Sequence, residues 1–201
     1  MKILIAPTIK ESYKNQFEYV VDRKWFSFLT DTYGDVEIIL PQKKHNKIDL
    51  IILCGGNDLI SIDQSQENSL RYKQDKQIYE YALKKNIPLI GICYGAQFLS
   101  KQLNCEIGKV HNHVGNHRVN IINTESQPPN SKKIYSVNSF HNYGIIKASK
   151  KIIPLSVAKD NTVESFKGFD VNCLGIMWHP ERFNKTRNVD KEIFLNFCSL
   201  S

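Results

Sequence analysis

The first half of the chain alternates short apolar runs with longer amphipathic segments. The apolar runs cover residues 1–6, 36–40, 49–53 and 88–92. Continuous runs of this length are typical of parallel strands that are covered on both faces. Apolar residues at helical spacing occupy the segments 17–33, 66–85 and 96–102. This alternation predicts an α/β fold with an open, mostly parallel sheet flanked by helices.

The pattern changes to shorter runs from about Val114 onward. They lie at 118–122, 134–137, 152–158, 162–166 and 173–178, and turn signals such as Asp160-Asn161 separate them. This pattern predicts an antiparallel extension of the sheet. The sequence of residues 190–199 predicts a helix at the C-terminal end. Because the chain has 201 residues and no internal repeat or linker, we expect one domain over residues 1–201.

Composition narrows the class of protein. At 41% hydrophobic and 23% charged residues, the chain is typical of globular proteins rather than disordered or fibrous ones. The sequence has no stretch of about 18 consecutive apolar residues, so it does not predict a membrane span. The apolar segment that begins at Met1 is too short for a signal peptide. We therefore expect a cytoplasmic protein that does not bind membranes.

The net charge of +7 favours an anionic partner. It arises from 22 Lys and 5 Arg against 20 acidic residues. The lysines are scattered rather than gathered in one stripe, and their abundance alongside Asn and Ile also fits an AT-rich coding sequence. The charge therefore has two interpretations, a small anionic substrate or coding composition, and no nucleic-acid partner is expected.

The five cysteines form neither a disulfide nor a zinc pattern, because their number is odd and no CxxC pair occurs. Cys93 differs from the others, since it stands in a Gly-x-Cys-x-Gly sequence between a predicted strand and a predicted helix. Such a nucleophile elbow reverses the chain so sharply that small residues are needed two positions before and after the nucleophile. The turn strains the backbone, and the helix N-terminus favours a thiolate. A buried Cys beside ordinary glycines is the alternative interpretation.

A pair of glycines follows another predicted strand. Gly55 and Gly56 come directly after the run at 49–53, so in a parallel sheet they reach the same edge as Cys93. Glycines there let backbone N–H groups approach a developing oxyanion. The N–H of Tyr94 is the natural second donor. A plain Gly-Gly turn is the alternative interpretation, but it does not explain why the glycines and Cys93 are expected at the same edge of the sheet.

A histidine and a carboxylate follow the run at 173–178. Pro180 fixes the backbone between His179 and Glu181. With Cys93 they form a candidate set of nucleophile, base and orienting carboxylate.

Three blocks of the chain resemble the signature sequences of class I glutamine amidotransferases. They are Leu53-Cys54-Gly55-Gly56-Asn57-Asp58, Gly91-Ile92-Cys93-Tyr94-Gly95-Ala96-Gln97 and Gly175-Ile176-Met177-Trp178-His179-Pro180-Glu181. Residues 137–143 also resemble the Ser-x-His segment of that family. The chain is most similar to the stand-alone γ-glutamyl hydrolase branch, and the resemblance runs from Met1 to about Phe197.

The resemblance implies hydrolysis of a γ-glutamyl amide through a thioester. Cys93 would attack the γ-carbonyl, and the N–H groups of Gly56 and Tyr94 would bind the oxyanion. His179 would protonate the departing amine and then activate water. Glu181 would orient His179 and stabilise its charge.

The resemblance also implies a pocket for the glutamyl group. Its residues would be Gly55, Gln97, His141, Asn142 and Tyr143. The expected partner is a small-molecule γ-glutamyl conjugate, with nucleotide-linked leaving groups among the candidates. No cofactor, no metal and no obligate protein partner are expected.

The chain departs from that branch at a few positions. Tyr94 stands where the branch often has Arg, Asn142 replaces a second His, and Asn57-Asp58 lacks a nearby proline. We place these positions on the leaving-group side, so they bear on the substrate rather than on the chemistry.

Some remaining residues have two interpretations. His111, His113 and His117 lie close together, but no carboxylate or Cys stands at a familiar metal-ligand spacing, which favours a substrate-cleft loop or a solvated turn. Arg71 and Arg118 are candidates either for gripping an anionic leaving group or for surface ion pairs.

Three functions stay open at this point. The leading one is a stand-alone hydrolase, because the Cys/His/Glu set is complete and no acceptor domain is fused to it. A glutaminase subunit that delivers ammonia to a separate synthetase is the second. A non-catalytic binding module is the third, and the intact set argues against it.

Overall fold

The chain builds one large sheet and one small hairpin. The computed structural model describes residues 1–41, 47–122 and 134–199. Within these ranges the large sheet has eleven strands and the hairpin has two. The strands are β1 (Lys2–Ala6), β2 (Thr8–Tyr13), β3 (Gln16–Val20), β4 (Glu37–Ile39), β5 (Leu50–Leu53), β6 (Leu89–Ile92), β7 (Glu106–Lys109), β8 (Val114–Ile121), β9 (Ile134–Phe140), β10 (Tyr143–Lys147), β11 (Ile152–Ala158), β12 (Val163–Gly168) and β13 (Cys173–Ile176). The helices are α1 (Lys24–Tyr33), α2 (Gln66–Lys85), α3 (Tyr94–Gln102) and α4 (Asn188–Ser199), with a 3₁₀ turn at Pro180–Arg182.

Parallel strands form the centre of the large sheet, in the order β4-β1-β5-β6-β13. Successive residues of a strand point to opposite faces of the sheet. Leu50 and Ile52 of β5 therefore pack with Phe28 of α1 and with α4, whereas Ile51 and Leu53 pack with α2 and α3. Helices cover both faces, which confirms the predicted α/β architecture.

Antiparallel strands extend the sheet beyond β13. They follow in the order β12-β11-β8-β9, and β10 pairs with both β12 and β7. The predicted antiparallel extension is confirmed. The strands β7 and β10 were not predicted, because several of their side chains face solvent and their apolar pattern is weak.

The prediction of a single helix over 17–33 is wrong at its N-terminal end. β3 pairs with β2 in an antiparallel hairpin, and α1 begins only at Lys24. Asn15 makes the hairpin turn with a positive φ of 63°, and Phe17 and Tyr19 follow the two-residue period of a strand. Asn57 ties the hairpin to the sheet edge, since its side chain bonds the backbone N–H and C=O of Ile9 at 3.0 and 2.9 Å.

The longest helix, α2, has the bounds that the sequence predicts. Ser65 caps its first turn by accepting the N–H of Asn68. Asn86 ends it in the left-handed conformation that a helix C-terminus favours. No helix in the described ranges is long and apolar enough to cross a membrane.

Candidate active site

The loops that carry the predicted site residues meet at the carboxyl edge of the parallel strands. β5, β6 and β13 are neighbours that run in the same direction. Gly55 follows β5, Cys93 follows β6 and His179 follows β13. The topology therefore gathers at one edge three segments that are far apart in the sequence.

Cys93 lies on a strained turn between β6 and α3. Its backbone has φ 51° and ψ −104°, a combination that costs energy for a residue with a side chain. A Cβ at Gly91 would lie 2.5 Å from the backbone of Gly95, and a Cβ at Gly95 would collide with the carbonyl of Leu53. The predicted need for small residues on both sides of Cys93 is thus confirmed, because a side chain at either position would collide with backbone atoms.

Glu181 and Cys93 both interact with the imidazole of His179. Nδ1 of His179 lies 2.7 Å from Oε1 of Glu181, and both side chains are 2% exposed. Burial lowers the pKa of His179, but hydrogen bonds with Cys93 and Glu181 outweigh burial and raise this pKa to about 9. The imidazole is therefore protonated near neutral pH, and it can act as a proton donor.

The glycine loop after β5 packs directly against the Cys–His pair. A Cβ at Gly55 would lie 2.8 Å from Cε1 of His179 and 3.2 Å from Cβ of Cys93. Gly56 has a φ of 108°, which side chains rarely allow. Thr8 fixes the loop by donating its hydroxyl to the carbonyl of Gly55 at 2.6 Å. The backbone of this loop is thus held beside the nucleophile, where an oxyanion donor has to be.

Asn138 of β9 holds the backbone of His179, a role that the sequence did not predict. Its Nδ2 donates to the carbonyl of His179, and its Oδ1 accepts the N–H of His179, both at 2.9 Å. The two bonds fix the backbone orientation of His179 relative to β9, in the antiparallel extension of the sheet. Asn138 stands in the Ser-x-His segment, but sequence spacing does not reveal a bond to a residue 41 positions away.

Arg71 belongs to the interior and contacts neither solvent nor a leaving group. Its side chain is fully buried, pairs with Asp75 at 2.8 Å and donates to the carbonyl of Cys54 at 2.8 Å. Its guanidinium also lies 4.7 Å from the ring centroid of Tyr94, which is 1% exposed. Both interpretations of Arg71 are therefore wrong, and so is the placement of the Tyr94 side chain on the leaving-group side. Arg118 is exposed on β8.

A cavity of about 200 Å³ opens beside His179 and Glu181. Gly55, His179 and Glu181 line one side of it, and the other side is lined by Thr8, Val20, Asp22, Trp25, Cys54 and Arg182. On the far side of Cys93, Nε2 of Gln97 donates to the carbonyl of Tyr143 at 2.8 Å. Asn142 is exposed next to Tyr143. Gln97 therefore joins α3 to the β9–β10 turn.

Two of the three clustered histidines are not in a solvated turn. His111 is exposed, but His113 is 3% exposed and His117 is half-buried. They turn inward toward His141, which is 4% exposed and thus lies in the interior. The interpretation as a cleft loop or solvated turn is wrong for His113.

A carboxylate from β12 completes this buried group. Oε1 of Glu164 lies 2.9 Å from Nδ1 of His113 and 3.7 Å from Nε2 of His141. Oε2 lies 3.4 Å from Nε2 of His117. Burial raises the pKa of Glu164, but the three histidines outweigh burial and hold this pKa well below its usual range. Residues of these types can hold a metal ion.

The fold and this arrangement define a class of protein. The chain has the fold of the class I glutamine amidotransferases. It superposes with a glutamine amidotransferase from Thermotoga maritima at a TM-score of 0.68, over 99% of this chain and 83% of that one, with 16% identity. A candidate GMP synthase component from Thermoplasma acidophilum gives a TM-score of 0.73 over 100% and 93% of the two chains, with 20% identity.

Sequence comparison identifies the family. Residues 10–181 match the Peptidase C26 family, so the chain belongs to it. The chain is also 40% identical over 153 residues to γ-glutamyl-CDP-amidate hydrolase of Campylobacter jejuni, covering 76% of this chain and 72% of that protein. The predictions of the family resemblance and of a hydrolase are confirmed.

Proposed function

We propose that the protein is a stand-alone γ-glutamyl hydrolase whose substrate is γ-glutamyl-CDP-amidate. The products are glutamate and cytidine diphosphoramidate, which serves a capsular polysaccharide modification. The observation that carries the proposal is the convergence of Cys93, His179 and Glu181 at one sheet edge, beside the Gly55 loop. The Campylobacter jejuni relative, which is named for this substrate, supports the finer assignment.

The first half-reaction forms a thioester. As the sulfur of Cys93 attacks the γ-carbonyl carbon, the imidazole of His179 carries the proton of the Cys93–His179 pair. The S–C bond forms as the carbonyl π pair moves to oxygen, which the N–H groups of Gly56 and Tyr94 bind. Collapse of this intermediate breaks the C–N bond, and the departing nitrogen takes the proton from His179.

The second half-reaction hydrolyses the thioester. His179, now neutral, takes a proton from a water molecule, whose oxygen attacks the thioester carbon. Collapse expels the Cys93 thiolate and releases glutamate, and the imidazolium is restored. The Glu181 carboxylate balances the charge on His179 and holds Nδ1 as a donor.

Two side chains near His179 suit a nucleotide leaving group. Phe140 is 52% exposed, with its ring 5.6 Å from that of His179, and the guanidinium of Arg182 lies 5.4 Å from the Phe140 ring. An exposed ring face stacks with a base, and guanidinium pairs with phosphate oxygens. Arg182 also lies 3.3 Å from Asp22, so a diphosphate would compete with that carboxylate.

The proposal extends to the setting of the reaction. One domain over residues 1–201 performs it on a small molecule, without a cofactor or an obligate protein partner. We place it in the cytoplasm, where the cysteines stay reduced. All five are free thiols in this structure.

The test is glutamate release from a panel of substrates at equal concentration. The panel holds γ-glutamyl-CDP-amidate, a γ-glutamyl polyamine, a polyglutamate and free glutamine. We expect the highest kcat/KM with the CDP conjugate and none with Cys93→Ala, whereas Cys105→Ala, a buried thiol on the opposite face, retains activity. Arg182→Gln should raise KM for the CDP conjugate and leave the KM for glutamine unchanged. Preference for glutamine, or activity only with an added synthetase, would instead support the glutaminase subunit.

A further inference from the structure

Four side chains converge in the interior next to the proposed glutamate pocket, and we call them the histidine cluster. They are His113, His117, His141 and Glu164. The exposed fractions of their side chains alone are 4%, 14%, 1% and 0%. They come from four separate segments: the loop before β8, the strand β8, the β9–β10 turn and the strand β12. The cluster does not contain any residue of the Cys93–His179–Glu181 set.

Most polar atoms of the cluster face one another without making a hydrogen bond. Both ring nitrogens of His117 and His141 and both carboxylate oxygens of Glu164 are buried and make no hydrogen bond, although Glu164 lies within ion-pair distance of the three histidines. The contacts of 2.9 to 3.7 Å within the cluster lack hydrogen-bond geometry. Buried polar groups are nearly always satisfied in native proteins, and a buried carboxylate is costly unless a positive charge balances it. A shared central cation would satisfy one ring nitrogen of each histidine and a carboxylate oxygen of Glu164 together.

The spacing of the atoms fits a small divalent cation. One ligand atom each from His113, His141 and Glu164 lie within 4.8 Å of one another. Tetrahedral Zn²⁺ binds imidazole nitrogen and carboxylate oxygen at about 2.0–2.2 Å, so modest side-chain rotations bring these atoms to coordination distance. His117, whose Nε2 lies 3.4 Å from Oε2 of Glu164, is the neighbour that could add a fourth ligand. Imidazole-rich sets select Zn²⁺ and its transition-metal neighbours over Ca²⁺ and Mg²⁺, which prefer oxygen.

His113 has a further feature of metal-binding histidines. Its Nδ1 faces Glu164, while its Nε2 lies 3.0 Å from Oδ2 of Asp160. A carboxylate on the far ring nitrogen fixes the tautomer and orientation of a coordinating histidine and raises its basicity. Asp160 is thus placed to accept a hydrogen bond from Nε2 of His113, which leaves Nδ1 available to bind a metal.

We propose that the histidine cluster is a structural binding site for Zn²⁺ or a similar divalent transition-metal ion. The ion would join four segments of the antiparallel extension. His141 directly precedes Asn142 and Tyr143, and the carbonyl of Tyr143 accepts from Gln97. Glu164 also accepts the N–H of Met177 through its backbone carbonyl at 2.8 Å. The ion would therefore stiffen the proposed glutamate pocket without touching the reacting atoms.

Metal binding is tested on the full chain without an affinity tag, in a Cys93→Ala background so that the active-site thiol cannot hold the ion. Zinc titration against a chromophoric chelator should show about one equivalent per chain, with a rise in Tm. Co²⁺ should give the visible absorption of a tetrahedral site. Because this readout needs no turnover, its outcome is independent of the proposed function.

Variants show whether the cluster holds the metal. Glu164→Gln should abolish stoichiometric binding, and Asp160→Asn should weaken affinity about 10- to 100-fold. Should Glu164→Gln fail to fold, His117→Asn, at the edge of the cluster, removes one ligand from a folded chain, as circular dichroism would verify. The matched control is His111→Ala, an exposed neighbour, which should bind as the parent does. Absence of stoichiometric zinc in the parent, or binding that survives both Glu164→Gln and His117→Asn, would overturn the proposal.

Discussion

The Glu181→Gln substitution tests how the buried carboxylate acts on His179. Glutamine keeps an oxygen that can accept Nδ1–H, so the ring orientation is preserved while the charge is lost. The pKa of His179 is raised from 6.5 to about 9, which corresponds to about 3 kcal/mol in favour of imidazolium. His179 is 2% exposed, so solvent screens little of this interaction. Burial opposes the shift, so Cys93 and Glu181 together favour imidazolium by more than this net amount. Loss of one adjacent charge changes a pKa by about one unit or more.

The expected consequence is a shift of the pH–rate profile. A raised pKa keeps His179 protonated up to about pH 9, and activity should fall above that pH as the proton donor is lost. In Glu181→Gln the alkaline limb should move down by about one pH unit, and kcat/KM should fall about tenfold or more. Initial rates of glutamate release across a pH series measure both effects. Glu192→Gln, an exposed carboxylate on α4, is the matched control. An alkaline limb that stays in place would refute the charge argument.

Other substitutions test the supports of the site. Asn138→Ala removes two hydrogen bonds to the backbone of His179. We expect kcat to fall about 10- to 100-fold and denaturant unfolding to show a loss of stability of about 1–3 kcal/mol. An unchanged kcat would exclude a positioning role for Asn138. Gln97→Met should raise KM for the γ-glutamyl substrate more than it lowers kcat, and the opposite split would place Gln97 in the chemistry. Gly95→Ala forces a Cβ against Leu53, so thermal melting should show a clear loss of Tm; a wild-type Tm would contradict the close packing of the elbow.

The central sheet was predictable because its signals are local. The buried parallel strands are short apolar runs, and Pro7 and the Gly55–Gly56 pair closely follow β1 and β5. The elbow at Cys93 was equally visible in the sequence, because it needs glycine two positions before and two positions after Cys93. A side chain at Gly91 would collide with Gly95, and a side chain at Gly95 would collide with Leu53. Burial raises the pKa of the Cys54 thiol and raises that of Cys173 to about 12, so these two thiols stay protonated.

The features that escaped prediction depend on contacts between distant segments. Asn138 reaches the backbone of His179, and Glu164 meets histidines from three other segments, so no spacing in the sequence reveals either contact. The β2–β3 hairpin was mistaken for the start of a helix because its apolar side chains are exposed: Tyr13 is 74% and Tyr19 52% exposed. Arg71 was misjudged because an arginine that is buried against a carbonyl and an aspartate is rare, and a surface role is the usual one.

The proposed covalent intermediate can be tested by partitioning with hydroxylamine. A γ-glutamyl thioester on Cys93 has lost its leaving group, so water and hydroxylamine compete for the same species whatever the starting substrate. Glutamate and γ-glutamyl hydroxamate would be measured with γ-glutamyl-CDP-amidate and with a second γ-glutamyl amide. The account predicts one hydroxamate-to-glutamate ratio for both substrates at each hydroxylamine concentration. A ratio that depends on the leaving group, or no hydroxamate while glutamate is still released, would contradict it.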